Sequence, residues 1–250
     1  MIQSFLIAFL GSDPGRDPLT AFPRIPLPGW NINFNGLSKI KPIQKIFSNI
    51  TLTHRYQARY QVSSFNRNLG FNANQVIQNN EDFVPRFQIN DVTINESFAP
   101  LIGLQVSTKN QWTFNAEYKK MRTVRLMVAQ FNVTELRSEE FMFRVGYRQS
   151  GIILPFRYRG KRAMLENDLR FDMTVSVSDN KTILRKIDNN LNEPTAGAKL
   201  VLINPMLNYM VNEKINVQAF YTRRVNKPVV TTSFPTAITD FGIKLQYTIQ

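Results

Sequence analysis

One stretch constrains this chain more than any other: across residues 49–65 the chemistry alternates at every step. The even positions read Ile50, Leu52, His54, Tyr56, Ala58, Tyr60 and Val62, and the odd positions read Thr51, Thr53, Arg55, Gln57, Arg59, Gln61 and Ser63. Successive side chains on a strand point to opposite faces, so one face is apolar and aromatic and the other is polar and basic. A helical period would scatter both sets around a cylinder. The stretch predicts a strand that separates two different environments.

The same period returns along the chain. Residues 111–129 place Trp112, Phe114, Ala116, Tyr118, Val124, Leu126 and Val128 on one side, with Lys120 and Arg122 interrupting it where a turn or bulge is expected. Residues 139–149 set Phe141, Phe143, Val145 and Tyr147 against Glu140, Arg144 and Arg148. Residues 165–177 set Leu169, Phe171, Met173, Val175 and Val177 against Asp168, Arg170, Asp172, Thr174 and Ser176, and Asp179-Asn180 then predicts a turn into a short strand near 181–188. Residues 197–211 alternate, a turn at 212–214 reverses the chain, and Ile215, Val217, Ala219 and Tyr221 follow. The last strand sets Phe241, Ile243, Leu245, Tyr247 and Ile249 against Lys244, Gln246 and Thr248. Weaker runs at 86–95 and 101–108 bring the expectation to about eleven strands.

Two parts lack this period. Residues 1–29 form an N-terminal apolar segment followed by a loop, because Pro14, Pro18, Pro23, Pro26 and Pro28 with Gly11, Gly15 and Gly29 deny both helix and ladder. Residues 30–250 carry the strands, with a short helical patch expected around Ile40, Ile43, Ile46 and Phe47. The apolar run Phe5–Leu10 has no basic segment before it and no small-residue cleavage site after it. It therefore fails as a secretion signal, and the chain reads as the downstream part of something longer.

Composition narrows the chemistry. With no cysteine and one histidine, thiolate metal sites, thiol nucleophiles and paired-imidazole sites are excluded, and no cofactor is expected. No phosphate loop, acidic metal cluster or GxSxG elbow occurs, so the expectation is a non-enzyme. The formal charge of +13 points to an anionic partner. The cations are spread along alternating strands, with the densest cluster at Arg157, Arg159, Lys161 and Arg162, which argues against a nucleic-acid partner. His54 lies on the apolar face and reads as an interface residue, not a proton-transfer group.

Length decides between a soluble β fold and a membrane one. Several runs reach 11 to 17 residues, whereas soluble strands usually have about 5–6 and a bilayer takes about 9–11 tilted residues. No apolar run reaches the ~18 residues of a helical span. The expected fold is an all-β, antiparallel transmembrane barrel segment in an outer membrane. Arg55, Gln57, Arg59 and Gln61 would face the lumen, and Leu52, Tyr56, Tyr60, Phe241, Ile243, Leu245 and Tyr247 would face lipid.

Short motifs carry a resemblance. Phe22–Trp30, Asn35–Lys39, Leu52–His54, Ser64–Asn66, Val92–Ile94, Phe98–Gly103, Gly146–Arg148, Asn192–Gly197 and Thr232–Thr239 occur in this order. Together they resemble the C-terminal part of the SprA (Sov) family, the outer-membrane translocon of the type IX secretion system in Bacteroidetes. The resemblance implies a part of a much larger barrel, lacking its N-terminal portion, that conducts secreted cargo with C-terminal sorting domains and serves gliding motility in some species. It also implies partners: the remainder of the barrel, a PorV-type shuttle barrel and a periplasmic plug protein. The competing expectation is a stand-alone basic β-barrel that binds an anionic or apolar ligand.

Overall fold

The structure, a computed structural model, describes residues 1–11, 23, 26–71, 84, 86–158, 161–164, 167–188, 191–212, 214–230 and 233–248. Most of the proline-rich 11–29 segment lies outside these residues, as does Arg159 of the basic cluster. The N-terminal apolar run is a helix, α1 (Ile2–Leu10), closed by Gly11 in the left-handed conformation (φ 66°) with its N–H bonded to the Ile7 carbonyl. The apolar patch near Ile40 forms a 3-10 turn (Gly36–Lys39) and one short helix, α2 (Lys41–Gln44).

The rest is strand. β1 is Gly29–Phe34, β2 Phe47–Ser63, β3 Asn66–Arg67, β4 Phe87–Gln88, β5 Asp91–Thr108, β6 Trp112–Met127 and β7 Asn132–Gln149. β8 is Ile153–Tyr158, β9 Lys161–Met164, β10 Leu169–Lys186, β11 Asn192–Asn212, β12 Ile215–Pro228 and β13 Thr236–Tyr247. Nine of these join in one antiparallel sheet, in the order β1-β2-β5-β6-β7-β10-β11-β12-β13, while β3-β4 and β8-β9 form separate two-stranded pairs. The sheet is open: no pairing joins β1 to β13 among the described residues, so a closed barrel is not observed.

The expected strand positions hold, with three corrections. Residues 86–95 and 101–108 contribute to one strand of 18 residues, β5, which runs through a cis Ala99–Pro100 bond. Asp179 and Asn180 make no turn: they sit inside β10, paired with Glu139 and Ser138 on one side and Lys199 and Ala198 on the other. The two side chains are turn formers only when their backbone lacks partners, and here both edges of the strand are occupied. β6 likewise runs unbroken through Lys120 and Arg122; the bulge lies opposite, where β5 shifts register between Phe98 and Ile102. The nine-stranded sheet and two separate hairpins replace the expected eleven barrel strands.

Little of this sheet is covered. Among the described residues the buried apolar side chains are Leu6, Ile50, Val92, Ile94, Val124, Leu126 and Met142, and four of them form one patch in which Val92 pairs with Leu126 and Ile94 with Val124. The accessible surface is 17801 Å², against about 11,000 Å² for a compact soluble chain of this mass.

Close strand contact sets one backbone requirement. A Cβ on Gly197 would meet the Asn180 carbonyl oxygen on β10 at 2.7 Å, next to the register shift between Thr182 and Ile183. Backbone cannot swing aside as a side chain tip can. Gly197→Ala is expected to cost about 1–3 kcal/mol. Gly29→Ala, whose Cβ meets the Tyr56 carbonyl oxygen at an ordinary 3.5 Å, should stay within about 0.5 kcal/mol. Chemical-denaturation midpoints of the two variants check this; equal shifts would contradict the β10–β11 register.

Candidate functional site

The sheet has two unlike faces, and register assigns each side chain to one. Directly paired residues share a face. From Val106 the pairing runs through Phe114, Val145 and Met173 to Pro205, and Tyr221 pairs with Phe241 at the far edge. Leu52 pairs with Leu104, Tyr56 with Phe98 and Tyr60 with Ile94, which puts Leu52, Tyr56, Tyr60, Phe241, Ile243, Leu245 and Tyr247 on one apolar face. Arg55, Gln57, Arg59 and Gln61 lie exposed on the other, where Gln57 meets Ser97, Arg59 meets Asn95 and Gln61 meets Thr93.

Nothing among the described residues lies over much of the apolar face. Phe241 is 83% exposed and Ile243 76%, and Phe141, Val177 and Leu207 are exposed as well. Aromatic rings line it: Trp30 packs on Tyr56 at 4.5 Å and Tyr56 on Phe98 at 4.6 Å across three strands, and Trp112 stacks on Tyr147 at 4.3 Å. His54 belongs to this group; its Nδ1 donates to the Leu101 carbonyl at 2.6 Å, so the ring satisfies the ladder where β2 and β5 slip register.

The apolar face is a band, and the band slants. Its lower edge is Val106 on β5, Trp112 on β6, Tyr147 on β7, Leu169 on β10, Tyr209 on β11, Ile215 on β12 and Tyr247 on β13. The hydrogen-bonded row that begins at Val106 arrives at Phe241 on β13, about six residues short of Tyr247. The upper edge (Phe98, Tyr118, Phe141, Val177, Val201, Tyr221, Phe241) drifts the same way by the same amount. Each edge moves six residues in six steps, on average about one residue per strand, although Tyr118, Phe141, Val177 and Val201 share one row and the upper edge shifts at β5–β6 and β11–β12. At about 3.4 Å per residue and about 4.8 Å between strands, that corresponds to an angle of about 35°. Four to five apolar side chains per strand then give a band about 20–25 Å tall.

Directly above the upper edge, on the same face, two rows of side chains are mostly charged, and beyond them on β5 and β6 lies the buried patch of Val92, Ile94, Val124 and Leu126. Lys120 pairs with Glu139 at 3.2 Å, and Asp179 meets Lys181 at 3.1 Å and Lys199 at 3.7 Å. The phenols at the band's edge reach into this belt: Tyr56 donates to Glu96 at 3.1 Å and Tyr118 to Glu139 at 3.0 Å. At its upper margin lies Glu135, only 1% exposed, beyond the apolar band. Arg122 Nε donates to its Oε1 at 2.7 Å, Arg137 Nε at 2.8 Å, and an Arg185 guanidinium nitrogen donates to its Oε2 at 2.6 Å. Burial alone would raise this carboxyl's pKa; the guanidinium hydrogen bonds of Arg137, Arg185 and Arg122 outweigh it and hold the value at about 2.

The second face is wetter but not uniformly so. Thr, Ser, Asn, Gln and Arg dominate β2, β5 and β6, while Leu200, Leu202 and Met206 of β11 and Phe220 of β12 interrupt it. β11 carries apolar residues on both sides, so its alternation is the weakest. Phe220 lies against Gly242 directly opposite, filling the space a side chain would take.

The charged belt was the feature the alternation concealed. Arg137, Glu139, Asp179, Lys181 and Lys199 have the parity of the apolar set, so counting charges against parity would have found it, as Lys120 and Arg122 hinted. No group of three or more potential metal ligands occurs among the described residues. No protein-family model matches the chain, and no curated protein matches it.

The Glu135 network makes a pH-dependent contribution with a definite sign. A carboxyl depressed to about 2 in the folded chain and near 4.5 unfolded stabilises the fold above about pH 4.5 and loses that contribution as pH falls toward about 2. Denaturation midpoints measured from pH 7 to pH 2 should fall more steeply for the natural chain than for Glu135→Gln. At neutral pH the same variant, with three guanidiniums left around a neutral amide, should lose about 3–5 kcal/mol. Parallel pH profiles would sink this assignment.

Proposed function

We propose that this chain is a non-catalytic wall segment of a large outer-membrane barrel that conducts protein, the C-terminal strands of a type IX translocon of the SprA kind. The slanted apolar band carries the reading. Membrane barrels tilt their strands about 35–45° and present an apolar belt about 25 Å tall, and the drift of one residue per strand corresponds to that tilt. In a soluble sandwich the apolar face meets a second sheet, and its two edges have no reason to drift by the same total amount.

The wet face fits a conduit. Arg55, Gln57, Arg59 and Gln61 keep their water, so a passing protein surface gains little by displacing it. The open edges at β1 and β13 leave room for the strands of the rest of the barrel, and the ordered motifs from Phe22 to Thr239 supply the resemblance to the translocon. In this reading the shuttle barrel, the plug protein and cargo with C-terminal sorting domains are the partners, and the outer membrane is the site.

The competing reading, a free-standing barrel that binds a small ligand, needs an enclosed cavity. One depression of about 590 Å³, lined by Thr113, Tyr147, Arg148, Asp168 and Asp172, lies open at one end of the wet face.

Three measurements test the proposal. The purified chain should need detergent to stay monodisperse, and deleting its segment from the full gene should abolish export of cargo with C-terminal sorting domains; normal export would refute the translocon assignment. In bilayers, Ile243→Arg at the band's mid-height should cost about 2–4 kcal/mol of folding stability, while Gln246→Arg on the wet face stays near zero. Equal costs at the two sites would refute the membrane-facing assignment.

A further inference from the structure

Like charges directly opposite each other in a sheet are destabilising unless an anion lies between them. On the apolar face, Lys199 of β11 stands directly opposite Lys227 of β12, in the row just above Val177, Val201 and Val225. Lys181 lies two residues from Asp179 on β10. The carboxylate among these three cations is Asp179, which meets Lys181 at 3.1 Å and Lys199 at 3.7 Å, while Glu139, opposite Asp179 on β7, pairs with Lys120. Among the described residues Lys227 forms no ion pair, and it is exposed. The contrast with the other end of the belt is direct. There, Arg122 and Arg137 also stand opposite each other, but Glu135 joins them.

We propose that Lys199, Lys227 and Lys181 form a binding site for the phosphate of an acidic lipid headgroup. The inference rests on the membrane-wall reading and assigns the lipid-facing surface a chemistry of its own. Three cations and one carboxylate leave a surplus that a phosphate offsets, and long Lys stems reach from the band's edge to the headgroup layer. Directly below the site, Val177 and Val201 continue into Val175 and Ile203, an apolar track for the acyl chains. A free phosphate would use the cations alone; a lipid uses the cations and the track together. The occupant is therefore the lipid.

The full chain, reconstituted in phosphatidylcholine bilayers containing a minority of a diphosphorylated glycolipid or of phosphatidylglycerol, tests this. Native mass spectrometry of the released protein should show the acidic lipid retained several-fold over its share of the bilayer. The double substitution Lys199→Gln and Lys227→Gln should bring that ratio to about one, and Lys244→Gln on the wet face should leave it unchanged. Inorganic phosphate at millimolar concentration should not displace the lipid; displacement would mark a free-phosphate site and overturn the lipid assignment. Insertion with equal retention of acidic and neutral lipid overturns this inference alone. Failure to insert into either bilayer overturns the membrane-wall reading and this inference with it.

Discussion

An apolar sheet face that its own chain leaves open is the constraint on which the rest depends. The largest apolar patches of soluble monomers are about 300–600 Å², whereas here seven adjacent strands each present four or five apolar side chains on one side. The long strands explain why no core forms from them. A soluble fold would turn the chain back after five or six residues and lay a second layer on the first. Here β5, β7 and β10 each run 18 residues before they turn, so consecutive strands can only extend the same layer. Burial of the band must come from outside that layer, and its height and mean slant are those that the proposed barrel wall requires.

Charge then fixes where the band stops. A sheet could continue its alternation to the strand ends, but here the apolar side switches to Lys, Arg, Glu and Asp within one residue pair on β6, β7, β10 and β11. The switch converts a continuous face into one with a defined edge. Glu135 holds the upper margin of this belt together, because one buried carboxylate takes hydrogen bonds from arginines on three strands. Bringing three guanidiniums together without it would be unfavourable. The belt therefore depends on a residue that is itself hidden from solvent.

The period of two was legible in the sequence because it needs no knowledge of neighbours: residues 49–65 state it alone. The slant was not. It exists only in the offset between strands, and register is a tertiary property set by pairing rather than by any one segment. For the same reason Asp179-Asn180 read as a turn. Locally the pair favours one, and only the strands on both sides of β10 hold it extended. The charged belt escaped because each strand shows just one or two misplaced charges, which read as interruptions until neighbouring strands align them. His54 was legible as an interface residue on the apolar face, while its bond to Leu101 depends on a register slip that no local pattern announces.

The edges of the sheet carry the final step. β1 pairs with β2 only from Leu52 to Gln57, so on that side Ala58–Ser63 continue beyond any partner in the sheet. β13 has a single neighbour along its length, and nearly all its side chains are exposed. Soluble sheets blunt such edges with prolines, bulges or inward charges, yet β13 is an uninterrupted alternating strand with an apolar side of Phe241, Ile243, Leu245 and Tyr247. An edge of that kind is stable when another strand continues the ladder, and in lipid it has no alternative, since unpaired backbone groups there cost several kcal/mol each. In the proposed barrel wall, the same side chains that make β13 a hazard in water would make it a joint, and the next strand would continue the mean slant of the apolar band.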